Sequence, residues 1–312
     1  MTQTDTITLS LAHSPDSDDL VMWWPLTGIT NPDGTAIDGP LGMPQIDTGP
    51  FRFSCVARDV EELNRLAIEP GGDEPYDITA ISCAAYPAMA DRYVITRSGG
   101  SFGENYGPRV VVAAESRLRT LNDLDGSVTI GVPGVNTSAF LTLNLISPGF
   151  EYVPMLFSDI PAAVKDGRVD AGLLIHEAQL TFEDAGLKQV GDIGAWWHQD
   201  TGGKPLPLGL NVVARSLDDR YGAGTCQRVA DLLTASIETA VREKEGSRLH
   251  LQLNKGDRTE WDDPELVDKY LSMYVSALTL DMGVTGREAI KLLLSRGAGA
   301  GLCKSVDSIG II

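Results

Sequence analysis

Residues 168–186, RVDAGLLIHEAQLTFEDAG, are the stretch on which the fold turns. The apolar run 171–175 has the length of a buried strand, and the residues after Glu177 read as a helix. His176 stands between the two. A solvated imidazole gains nothing at the end of a buried strand, whereas a base presented to a cleft does. A structural, packed histidine is the other reading the residues allow. The same order of apolar run, small or hydroxyl residue and helix-like stretch occurs three times earlier. TITLSLAHS (6–14) leads into DSDDLVMWWPL (16–26), YDITAIS (76–82) into CAAYPAMADRY (83–93), and SVTIGVPGVNTS (127–138) into AFLTLNLI (139–146). Strands alternating with helices predict an α/β fold with mainly parallel sheets, which bind ligands at the carboxyl ends of their strands.

Two β-rich runs introduced by proline or glycine turns, YGPRVVVAA from residue 106 and PLPLGLNVVAR from residue 205, are placed to carry the chain between lobes. The expectation is a two-lobed clamshell with two crossover strands. Lobe 1 is discontinuous, 1–109 and 207–312, lobe 2 is 110–206, and the cleft lies between them. The last third reads as helices cladding a core formed elsewhere. Asp263 is placed to cap one of them, with Pro264 in its first turn, and a box from Thr285 to Glu288 is expected to start another that stops at Gly297. Residues 28–50, rich in Gly, Pro and Asp-Gly, predict a hairpin or surface excursion.

With 25 basic against 43 acidic residues and a net charge of −18, the chain has no basic patch for a polyanion, so nucleic acid and anionic membranes are not expected partners. The first 20 residues lack a basic n-region and a long apolar stretch, and no run is long enough to span a bilayer; a soluble, cytoplasmic protein is expected. Cys55, Cys83, Cys226 and Cys303 have no metal-site spacing and read as reduced thiols, so no metal is expected.

The blocks DVEELNRLA, AISCAAYPAMADRY, RSGGSFGENYGPRVVVA, GVPGVNTSAF, AGLLIHEAQLTF, DIGAWWHQDTGGKPLPLG and YVSALTLDMG occur in order from residue 59 to residue 283. Together they make the chain resemble the 1,4-dihydroxy-6-naphthoate synthase family of the futalosine route to menaquinone. The resemblance implies a type II periplasmic-binding-protein-like fold. It also implies a cofactor-free carbon–carbon lyase that opens cyclic dehypoxanthinyl futalosine, a small-molecule carboxylate, to the aromatic acid. His176 matches the family's proposed base, and Ser82, Ser138 and Ala139, with Thr137 beside them, match substrate contacts. A non-catalytic small-acid binding protein of the same fold and a chorismate dehydratase-like enzyme are the alternatives.

The chemistry suits these residues. Removing a proton next to a carbonyl calls for a base of pKa near 7, which imidazole meets at about 6.5 without extreme tuning. Asn136, Thr137 and Ser138 precede a helix, where hydroxyls and free N–H groups converge on an anion or simply cap. The chain departs from the family in two places. Ala80 stands where the family has a lysine, for which Arg97 is the candidate replacement. The block SPDSDDL (14–20) replaces Ser-Pro-Cys-Pro-Asn-Asp-Thr; Ser14 remains a candidate contact, and the added Asp16 and Asp18 read as helix-capping carboxylates. Glu177 reads as the start of the following helix or as a carboxylate that orients the His176 ring. Trp196 and Trp197 read as hinge packing or as a stacking surface for a flat substrate. His13, at the first strand end, ranks second to His176, His198 is expected to be exposed, and His250 carries no signal.

Overall fold

The computed structural model describes residues 6–69 and 75–312. Strand β1 (Ile7–His13) runs parallel to β2 (Phe51–Ala57) on one side and to β3 (Ile78–Ser82) on the other. Every residue of β3 is buried, as expected of an apolar run covered on both faces. The short strands β4 (Tyr93–Ile95) and β5 (Ser101–Gly103) follow. The chain then crosses into a second sheet formed by β6 (Arg109–Ala113), β7 (Thr129–Val132), β8 (Glu151–Pro154), β9 (Ala171–Leu174) and β10 (Leu187–Asp192), in the order β10-β6-β9-β7-β8. It returns in β11 (Leu206–Ala214), which pairs with β3, β4 and β5 to complete a first sheet of order β2-β1-β3-β11-β4.

The expectation of mainly parallel sheets is corrected. β11 runs antiparallel to its three partners, and β6 runs antiparallel to β10 and β9. A strand that enters or leaves a sheet across a cleft is not confined to the right-handed crossover that keeps neighbours parallel. The strands whose ends matter remain parallel: β1 with β3, and β7 with β9. At or just after their carboxyl ends, Ser14, Ser82, Thr137 and His176 line one cleft.

Helix α1 (Ser17–Thr27) is apolar on nearly all sides and correspondingly buried, including Val21, Met22, Trp23, Trp24 and Leu26. Each large apolar side chain so buried contributes about 1.5–3 kcal/mol. α1 packs against the C-terminal helices Thr225–Arg242 and Lys244–Asn254, where Trp24 Nε1 donates to Ser247 Oγ at 3.0 Å and Ser236 Oγ to the Met22 carbonyl at 2.7 Å. Helix α2 (Val60–Ile68) is capped by Asp59, which accepts from Glu61 N and Glu62 N, and α3 (Ser138–Ile146) by Thr137, which accepts from Phe140 N.

Several local expectations change. CAAYPAMADRY makes only the 3-10 turn Cys83–Ala88, because Pro87 has no N–H to continue a helix. Asp263 does cap Pro264–Tyr274, accepting from Glu265 N and Leu266 N. The Thr285 to Glu288 box is not used; that helix begins at Gly283, whose N–H donates to Asp281, and runs to Gly299. Gly297 lies inside it, where a Cβ would sit 2.8 Å from Leu141 and 2.9 Å from Cys303, so it serves close packing and not a stop. Residues 28–50 form an exposed excursion pinned by an antiparallel Thr30–Ala36 bridge. Among the described residues no helix is long and apolar enough to cross a membrane.

Candidate active site

The cleft between the two sheets is narrow, with about 100 Å³ of open space, below the roughly 300–1,000 Å³ usual for small-molecule sites. The β1–α1 loop lines it with Ser14 and Asp16, the first turn of α1 with Asp18 and Asp19, β3 with Ala80 and Ser82, and the start of α3 with Thr137, Ser138 and Ala139. His176 enters from the end of β9. It adopts φ 58°, in the left-handed region that non-glycine residues rarely occupy, so the chain turns sharply out of the strand at the imidazole. Such a conformation costs of order 1–3 kcal/mol and persists only where neighbours hold it.

Phe157 is on the same side as His176, and the other neighbours are across the cleft. His176 Nδ1 pairs with the Asp16 carboxylate, and its ring meets Phe157 edge-on at 4.5 Å. Glu177 accepts from Ser17 N at 3.2 Å, Ser17 Oγ at 2.7 Å and Trp261 Nε1 at 3.2 Å. Glu177 is therefore a tie across the cleft and not a helix-starting carboxylate. Its helix, Ala178–Thr181, has no side-chain cap. Gln179 Oε1 accepts from Tyr274 OH at 2.9 Å. With Nδ1 on Asp16, His176 Nε2 is left buried without a hydrogen-bond partner on a residue that lines the cleft.

Electrostatics follow from this packing. Burial alone lowers the His176 pKa, but the Asp16 carboxylate, through its charge and its hydrogen bond, outweighs burial, with Glu177 and Asp18 adding to it, and holds the imidazole up at about 9. This departs from the expected untuned base near 7. Burial and then the Asp16 charge push Asp19 up to about 7, against the Ser14 N–H it accepts at 2.6 Å. Asp16 and Asp18 do not cap α1 as expected: Asp16, at the N-cap, makes no capping bond and instead accepts from Ser14 Oγ at 2.7 Å and pairs with His176.

The second wall is neutral. Ser138 Oγ donates to the Leu208 carbonyl at 2.7 Å and accepts from Ala84 N at 3.2 Å, joining α3 to the first sheet. Asn136, one residue before the Thr137 cap, donates through N and Nδ2 to Glu61 of α2. The N–H groups of Ser138 and Ala139, first in the helix, have no acceptor within it and are open to an anion. Ser82 Oγ accepts from Asn64 Nδ2 at 3.0 Å beside them.

His176, Ser14, Ser82, Thr137, Ser138 and Ala139 are thus brought together, and Arg97 is not. Arg97 is exposed and lies outside the cleft lining, its backbone engaged with Ile312 and Met282. Ala80 lines the cleft, and among the described residues no lysine or arginine does. Trp197 is fully buried, donating Nε1 to the Pro205 carbonyl, and neither tryptophan of the pair lines the cleft. His198 is half-buried and not exposed. His13 is buried, with Nδ1 2.7 Å from the Ser14 carbonyl, and is not part of the lining. Sequence reasoning missed Asp16 as the partner of His176, and Tyr270 and Tyr274, whose helix Pro264–Tyr274 was expected to be cladding. Among the described residues no three His, Cys, Asp or Glu side chains are grouped to hold a metal ion.

A two-sheet clamshell crossed twice by the chain, with its polar groups converging in the cleft, is the periplasmic-binding-protein-like class. The alkanesulfonate-binding protein of Xanthomonas axonopodis pv. citri superimposes with a TM-score of 0.61 at 16% identity, covering 93% of this chain and 91% of that one. A protein of Archaeoglobus fulgidus is nearer, with a TM-score of 0.75, 35% identity, and coverage of 95% of this chain and 98% of that one. Residues 9–299 match the family model described as menaquinone biosynthesis, and the chain belongs to that family. It is 36% identical to the 1,4-dihydroxy-6-naphthoate synthase of Thermus thermophilus, over 81% of this chain and 86% of that protein. It is 33% identical to that of Streptomyces coelicolor, over 95% and 94%.

Proposed function

We propose that this chain is a cytoplasmic 1,4-dihydroxy-6-naphthoate synthase, a lyase that converts cyclic dehypoxanthinyl futalosine to the aromatic acid without a cofactor, with His176 as its base. The halves that close on the substrate are residues 1–109 with 207–312, and 110–206. The observation that carries the reading is the His176 imidazole: one nitrogen is fixed by Asp16, and the other is buried, unpartnered and at the cleft. Proton abstraction by Nε2 needs the neutral ring. With a pKa of about 9, about one ring in a hundred is neutral at pH 7. The greater proton affinity of the stronger base offsets part of that loss. Among the described residues the substrate carboxylate has no lysine or arginine to meet in the lining, so the N–H groups of Ser138 and Ala139, with Ser82 and Thr137 beside them, are its partners.

The test is incubation of the purified protein with cyclic dehypoxanthinyl futalosine, following the product by absorbance and mass. Product from the wild type is the expected result. Tight binding without turnover would favour a non-catalytic binding protein, and turnover of chorismate instead would favour a dehydratase.

A further inference from the structure

Four carboxyl groups crowd the end of the cleft where α1 begins, and three of them are committed. Asp16 is held by His176 and Ser14 Oγ, Asp19 by Ser14 N, and Glu177 by Ser17 and Trp261. Asp18 is the exception. Its residue is 9% exposed and lines the cleft, yet Oδ1 is buried without any partner. His176 Nε2 is unpartnered in the same way. Asn211 Oδ1, also on a lining residue, is a third such atom, and orphaned polar atoms on one cleft describe a ligand that brings its own hydrogen-bonding groups, because each bond left unmade carries the desolvation cost of a buried polar atom.

We propose that Asp18 is a specificity-determining residue that hydrogen-bonds a neutral hydroxyl or carbonyl group of the ligand, beside His176, while the anionic end of the same ligand lies at the start of α3. The inference rests on the reading of this cleft as the substrate site. An anionic group is disfavoured at Asp18, since the charges of Asp16, Asp19 and Glu177 all act on it and the cation facing it, the protonated His176, is already paired with Asp16. Burial first, and then those three carboxylates, raise its pKa well above the ordinary range, with only His176 opposing. A carboxylic acid both donates and accepts, which matches a hydroxyl or a carbonyl and not a carboxylate.

The matched probes are 1,4-dihydroxy-6-naphthoate and 2-naphthoate, which carry the same carboxylate on the same ring system with and without hydroxyls. Calorimetric affinities would be measured for the wild type, Asp18→Ala and Asp18→Asn. The expected result is a wild-type preference for the hydroxylated acid that falls roughly tenfold to a hundredfold in Asp18→Ala. Affinity for 2-naphthoate should not change, and Asp18→Asn, which keeps a donor and an acceptor, should retain most of the preference. The alanine variant is expected to melt no lower than the wild type, since it removes a buried, unpaired acid. Equal weakening of both acids, or no change for either, would overturn the proposal while leaving the functional reading standing. Failure of the wild type to bind either acid would overturn both.

Discussion

Two helices begin at the same cleft and present opposite faces to it. α1 starts with Asp16, Asp18 and Asp19, so the partial positive charge of its first turn is already met by its own carboxyls. α3 starts with Thr137, Ser138 and Ala139, has no acidic residue in its first turn, and leaves its free N–H groups to whatever anion arrives. The difference teaches that position in the fold does not settle what a helix end binds. The first-turn residues do, and in the function we propose they sort the cleft into an acid–base end and an anion end.

Variants can break this contrast from either side. The largest effect is expected at the acid–base end: His176→Ala should lower turnover roughly a hundredfold or more with the fold intact, read by product formation and a thermal melt. Asp16→Asn removes the group that holds the imidazole near 9. Burial is then the dominant influence left, so the acid limb of the kcat/KM against pH profile should move down by roughly one unit or more. An unmoved limb would mean that His176 is not the titrating base.

At the anion end, Ser138→Ala removes the bonds to Leu208 and Ala84 and should weaken binding of the aromatic acid by about tenfold. The same variant should leave the position of the acid limb unchanged. A shift there would show that the two ends are not independent.

The acid–base end also predicts a pH dependence of stability. His176 has a folded pKa raised from 6.5 to about 9, so its contribution is complete below about 6.5 and is lost as pH rises through about 9. Asp19, raised from 3.8 to about 7, acts in the same direction, because a raised acid favours the folded state only while it is protonated. Melting temperature should therefore fall between about pH 3.8 and 7 through Asp19 and between pH 6.5 and about 9 through His176, and Asp19→Asn should flatten the first of these falls and leave the second. The smallest effect is expected at Arg97→Ala, within about 0.5 kcal/mol in stability and without change in binding, since the side chain is exposed and away from the cleft.

Local chemistry made much of the site legible. The run 171–175 followed by His176 placed the imidazole at a strand end, and Asn136, Thr137 and Ser138 announced a helix start, because strand length and capping preference are properties of a few neighbouring residues. The reading failed where a residue's partner lies far along the chain. Asp16 and His176 are 160 residues apart, and nothing local separates an aspartate that caps a helix from one that grips an imidazole. Gly297 failed for the same reason: it reads as a helix stop but is fixed by Leu141 and Cys303.

By itself, then, the sequence determined the alternation of strand and helix, the two crossings between sheets, and the family, since periodicity, turn chemistry and motif order are written locally. Only the tertiary structure decided that β11 joins the first sheet antiparallel, that Glu177 closes on Ser17 and Trp261, and that Asp16 holds His176 while Asp18 is left without a partner. The physical reason is that a carboxylate's role is set by which charges and donors surround it once it is buried, and burial brings together groups that the chain keeps far apart.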